Sequence, residues 1–181
     1  MAIPIGTAVT ASPITVEIED VTVAAPSSGV TSGTFDVLAT AGDGSEPLGT
    51  FDLVLDVDPE VTITGFTLVA PFDSPGFPVT LTPTGPNEFS LSYGSLSGTS
   101  EVTTDTVLIQ IDFAVDEGEL GDFAVDFDPA SGLLGGSSGF TLLTDSVFVG
   151  GTISVIPEPA SLALLAAGGC LMLSRRRRQT S

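Results

Sequence analysis

Residues 51–59 read Phe51-Asp52-Leu53-Val54-Leu55-Asp56-Val57-Asp58-Pro59, and this stretch decides the fold class. Phe51, Leu53, Leu55 and Val57 fall at every second position, with Asp52, Asp56 and Asp58 between them. A period of two places the apolar set on one side of an extended strand and the carboxylates on the other. Pro59 then stops the strand, because proline has no N–H to give to a ladder. Residues 107–116 repeat the logic, with Val107, Ile109, Ile111, Phe113 and Val115 alternating against Gln110, Asp112 and Asp116.

Working outward, short Val-, Ile-, Thr- and Phe-rich runs recur between Gly, Pro, Asp and Ser clusters. The expected strands are Ile14 to Val23, Gly33 to Thr40, Leu48 to Val57, Val61 to Ala70, Pro78 to Thr82, Glu88 to Tyr93, Thr106 to Asp116, Asp122 to Asp128 and Val147 to Val155. Strands at this spacing, with no helical period before Ala160, predict an all-β fold. The specific expectation is a two-sheet antiparallel jelly-roll-like sandwich of about nine strands over residues 14–155. It is preceded by a lead of residues 1–13 and followed by a separate segment, residues 156–181. In the first strand the apolar phase changes after Ile18, which predicts a bulge or a move between sheets. The pentapeptide Asp112-Phe-Ala-Val-Asp116 recurs as Asp122-Phe-Ala-Val-Asp126, with Gly118 and Gly121 between, and reads as a hairpin of near-identical strands.

Charge narrows the function. The chain holds 23 Asp and Glu, 4 Lys and Arg, and no His. The four cations are Arg175, Arg176, Arg177 and Arg178, so residues 1–174 have no cation at all. Such a body repels phosphate backbones and anionic headgroups, which excludes nucleic acid as a partner. It attracts divalent cations. Asp56 with Asp58, and Asp126 with Asp128, are spaced i, i+2 at strand ends and supply hard oxygen ligands, the one constellation suited to Ca²⁺. The other reading is a solvated sheet face whose charge prevents edge-to-edge pairing.

Catalysis is poorly provided for. Without His, Lys, Arg or Cys, residues 1–156 offer no Ser-His or Cys-His pair, no phosphate-loop lysine and no arginine clamp. A two-carboxylate glycosidase would also want aromatic platforms, and the body has no Trp and only Tyr93 beside its phenylalanines. The single cysteine, Cys170, lies in the apolar tail and forms no intrachain disulfide. The body therefore reads as non-catalytic.

The patterns at Phe51 to Phe72 and Val107 to Val115, with the echoed Asp-x-Asp-Pro endings at Asp56 to Pro59 and Asp126 to Pro129, resemble cohesin-like and carbohydrate-binding-module-like jelly-roll sandwiches. The resemblance implies non-catalytic binding of a dockerin-type protein or of a polysaccharide. It carries over no partner-contact residues.

Residues 156–181 have three parts in order: Pro157-Glu158-Pro159, an apolar run from Ala160 to Leu173, and Arg175 to Arg178. The prolines hold an extended backbone that an enzyme could grip, and the arginines stay cytoplasmic by the positive-inside rule. The run would make a helix of about 21 Å, short against a hydrocarbon core of about 30 Å unless the arginines snorkel. This arrangement resembles the PEP-CTERM sorting signal of bacterial proteins handled by an exosortase, a membrane protease-transpeptidase associated with exopolysaccharide and biofilm. The resemblance implies that Pro157, Glu158 and Pro159 are recognised, that Arg175 to Arg178 anchor, and that a single transmembrane sorting helix holds the chain in the inner membrane before it reaches the cell surface or exterior. Met1 to Thr15 has neither a basic n-region nor a continuous apolar h-region, so export is expected to depend on a signal not written there.

Overall fold

Alternation sets the inner faces, and the chain then distributes its strands between two layers. The computed structural model describes residues 13–26, 28–95, 99–128, 132–136, 143 and 145–158, and every regular element among them is a strand. In chain order these are β1 (Ile14–Ile18), β2 (Val21–Ala24), β3 (Thr31–Ala41), β4 (Glu46–Leu48), β5 (Thr50–Val57), β6 (Val61–Thr67), β7 (Thr80–Pro83) and β8 (Glu88–Gly94). There follow β9 (Ser100–Val102), β10 (Thr106–Val115), β11 (Gly121–Phe127), β12 (Leu133–Gly135), β13 (Val147–Val149) and β14 (Gly151–Ile156). The expected transmembrane helix falls on residues outside this set. Among the described residues no helix is long and apolar enough to cross a membrane.

One sheet has five strands in the order β13-β1-β3-β10-β6. The other has seven, in the order β2-β14-β11-β5-β8-β7 with β12 also pairing β5, and β4 and β9 form a separate ribbon. Phe51, Leu53, Leu55, Val57 and Leu91 of the larger sheet meet Phe35, Val37, Ile111, Phe113 and Val115 of the smaller in one buried core. Each such side chain removed from water contributes on the order of 2 kcal/mol, so the alternation fixes both register and layering.

The structure corrects three expectations and decides between the two alternatives of a fourth. The sandwich is mixed rather than wholly antiparallel, since β1 pairs with β13 and β2 with β14 in parallel. The phase change after Ile18 is a move between sheets: β1 lies in the smaller sheet and β2 in the larger. The chain makes the same move from β13 to β14, so the first and last segments cross between layers side by side. The repeated pentapeptides do not pair. β10 is already flanked by β3 and β6, leaving no free edge for β11, which joins the other sheet between β14 and β5. The connection between them turns at Gly118, whose φ of 86° suits glycine, and closes with a Glu119 N–H to Asp116 carbonyl bond of 3.2 Å. Finally, the ladder between β10 and β3 shifts register between Val107 and Ile109. The bulge turns Leu108 into the core beside Ile109 and leaves Val107 only half-buried, opposite Leu38.

Candidate binding face

The outer surface of the larger sheet collects the features that need an explanation. Because residues 1–174 lack cations, an outward carboxylate must find a neutral donor or go without. Three find one directly across the ladder. Ser92 Oγ donates to Asp52 Oδ1 at 2.8 Å and Ser154 Oγ to Asp122 Oδ1 at 2.7 Å. On the smaller sheet Gln110 Nε2 donates to Asp36 Oδ1 at 3.0 Å. These are cross-strand partners in register, the pairing that contributes most on a sheet surface.

One row does the opposite. Asp126 of β11 stands opposite Asp56 of β5, and Asp56 stands opposite Glu88 of β8. Three carboxylates thus lie side by side on neighbouring strands about 4.8 Å apart, where like charges repel. Beside them is a recess of about 240 Å³ lined by Asp56, Val57, Asp58, Pro59, Asn87, Ala124 and Asp126. Asp58 is differently employed: its Oδ2 accepts the Ala124 N–H at 2.7 Å, continuing the β5–β11 ladder past the end of β5.

Of the residues proposed for Ca²⁺, Asp56, Asp58 and Asp126 therefore share the recess, while Asp128 does not line it and its N–H bonds the Val54 carbonyl at 3.0 Å. Among the described residues no three His, Cys, Asp or Glu side chains converge as a metal-holding group. Glu88, which completes the row, carries no sequence signal of its own, because only the pairing of β8 with β5 brings it there.

Two exposed apolar side chains flank the upper rows of the same face. Phe77 is 58% exposed and Leu133 50%. Phe77 is seated over Gly94: a Cβ there would lie 3.4 Å from the ring, and the Gly76 N–H to Gly94 carbonyl bond of 2.7 Å pins the loop. Leu133 stands opposite Asp52, which in turn is opposite Ser92. Beneath lies a rigid aromatic cluster, with Tyr93 stacked on Phe51 at 4.8 Å and Phe72 edge-on to both. Burial pushes the Tyr93 phenol above its usual 10.0, a hydrogen bond with Ser95 lowers it, and the Asp73 charge raises it.

This face belongs to a two-sheet, partly parallel sandwich, and comparison with known structures identifies the architecture. No family profile and no curated protein sequence matches the chain. A type I cohesin solved in complex with a dockerin, from Clostridium thermocellum, superposes with a TM-score of 0.64 at 15% identity, covering 80% of this chain and 99% of that one. A non-cellulosomal cohesin from the archaeon Archaeoglobus fulgidus gives 0.62 at 12% identity, covering 84% and 97%. The fold is that of the cohesins. A third cohesin, from Clostridium acetobutylicum, agrees with a TM-score of 0.60 at 18% identity, covering 80% and 92%. The cohesin-like sandwich thus accounts for nearly the whole length of each neighbour. Of the sorting residues, Pro157 and Glu158 follow β14 directly and are exposed. Pro159 and Arg175 to Arg178 lie outside the described residues.

Proposed function

We propose that the sandwich is a non-catalytic docking module that receives a dockerin-type protein on the outer face of the larger sheet. The observation that carries this reading is the cohesin fold itself, matched over nearly the full length of cohesins that include one solved in complex with a dockerin. The choice of face rests on what lies there: the uncompensated Asp126–Asp56–Glu88 row, the adjoining recess, and the exposed Phe77 and Leu133. Repulsion among carboxylates costs stability until something positive covers them, so the matching partner surface is basic with apolar anchors. A polysaccharide is a weaker fit, because Phe77 is the only large aromatic side chain exposed among the described residues.

The tail gives this module its place. Pro157-Glu158-Pro159, the apolar run and the four arginines read as an exosortase-type sorting signal that brings the sandwich to the inner membrane and then to the cell surface or exterior. Pro157 and Glu158 follow directly on β14 and are exposed, which supports a signal presented at the edge of the folded body.

Titration of the chain through Glu158 against dockerin-type proteins of the same organism tests the binding half. Saturable binding is expected, weakened at least tenfold by Phe77→Ser or by Asp56→Asn with Asp126→Asn, and weakened by salt. Binding that ignores those substitutions would move the site elsewhere. Retention by exopolysaccharide, with no dockerin-type protein bound, would replace the partner class.

A further inference from the structure

The end of the sandwich from which the tail leaves carries apolar surface that the fold does not use. Val30 is 56% exposed, Leu120 50% and Ile156 46%. The ladders bring them to one end of the sandwich, Leu120 and Ile156 on the larger sheet and Val30 on the smaller. Val155 pairs with Gly121, which sets Leu120 beside Ile156. Thr31 pairs with Val115, and the Gly29 N–H donates to Glu117 Oε1 at 3.0 Å, which sets Val30 against the same 116–120 connection. Around them the rim is acidic, with Asp116, Glu117 and Glu119 exposed and Glu60 held there by the Asp116 N–H to Glu60 carbonyl bond of 3.1 Å.

The tail is tethered tightly at this rim. β14 is an inner strand between β2 and β11, so Val155 is paired on both sides, with Gly121 and Val23, and the Ile156 carbonyl still accepts the Ala25 N–H at 2.8 Å. Pro157 and Glu158 come next, both exposed. Two extended residues reach no more than about 7 Å. A protein that grips Glu158 therefore covers the rim. A bilayer is the poorer occupant, because five carboxylates, counting Glu158, would face its anionic headgroups.

We propose that Val30, Leu120 and Ile156 form a docking surface for the enzyme that processes the tail, so that its substrate is the tripeptide together with the folded end of the sandwich. The inference rests on the sorting reading above. The opposing enzyme surface is apolar at its centre and basic at its edge, complementing the ring of carboxylates.

The test is pulse-chase processing of the full chain, carried by an added N-terminal export signal, in an exosortase-bearing host. Val30→Ser with Leu120→Ser is expected to slow cleavage at least fivefold while leaving the melting temperature of the body unchanged, since both side chains are exposed. Inserting eight Gly and Ser residues between Ile156 and Pro157 moves the tripeptide off the rim, and in that background the same pair of substitutions should have no effect. Equal slowing in both backgrounds would report a folding or export defect and overturn the docking surface. So would unaltered cleavage of the paired variant while Glu158→Ala is blocked. Normal cleavage of Glu158→Ala would instead remove the sorting reading on which the surface depends.

Discussion

The seam where the terminal segments cross between sheets and the outer row of carboxylates use acidic residues in opposite ways. At the seam, β1–β2 and β13–β14 run side by side from one layer to the other, and the Asp20 Oδ1 accepts the Thr152 N–H at 2.8 Å. The backbone approach is close enough that a Cβ on Gly151 would lie 2.5 Å from the Ile18 carbonyl oxygen. On the outer face Asp126, Asp56 and Glu88 confront one another with no cation available. The same residue type completes a backbone ladder in one place and strains a surface in the other. A body without cations can hold itself together with N–H and O–H donors alone, so an uncompensated row marks surface that stability did not shape.

If the seam is structural, breaking it should give the largest effect. Gly151→Ala places a methyl against the Ile18 carbonyl oxygen and Cγ2, the latter at 2.8 Å, and the carbonyl cannot retreat without parting β1 from its neighbours. A loss of about 2–3 kcal/mol is expected from urea unfolding. An unchanged midpoint would show that the two crossing segments are not packed as described. Asp20→Ala is the milder break, leaving the Thr152 N–H without its acceptor at a half-buried position. It should cost about 1 kcal/mol, while Asp20→Asn, which keeps an acceptor oxygen, should cost less. Equal losses for the two would mean that charge, rather than the hydrogen bond, matters there.

The contrast also explains what could be read from the sequence. Alternation at Phe51 to Val57 and at Ile109 to Val115 gave inner faces correctly, because burial of one side of a strand is written locally. The break after Ile18 was visible for the same reason. Pairing was not: identical Asp-Phe-Ala-Val-Asp segments at 112–116 and 122–126 lie in different sheets, since partner choice depends on which edges are still free. The parallel pairs β1–β13 and β2–β14 join residues more than a hundred positions apart, with no local signature. For the face, Asp56, Asp58 and Asp126 were legible from spacing, whereas Glu88, Phe77 and Leu133 become part of it only through the sheet.

The smallest effect tests the row itself. Asp126→Asn removes the repulsion between β11 and β5 while keeping the side chain's size, so in low salt it should raise stability by about 0.5 kcal/mol. The gain should fade as ionic strength rises, because exposed charges are screened within a Debye length of about 10 Å at 0.1 M. Calcium sharpens the question. Asp56 and Asp126 face the recess with neither oxygen bonded to the backbone, whereas Asp58 Oδ2 holds the Ala124 N–H. Two carboxylates give at most four of the six to eight oxygens that Ca²⁺ takes, and among the described residues no group of three acidic side chains converges. Millimolar CaCl₂ should therefore raise the melting temperature no further than NaCl of equal ionic strength, and Asp126→Asn should shrink both responses alike. A calcium-specific rise abolished by Asp56→Asn with Asp126→Asn would reverse that conclusion. Mass action stabilises only a folded state that binds the ion, so such a rise would assign the recess as a cation site rather than a patch of repelling charge.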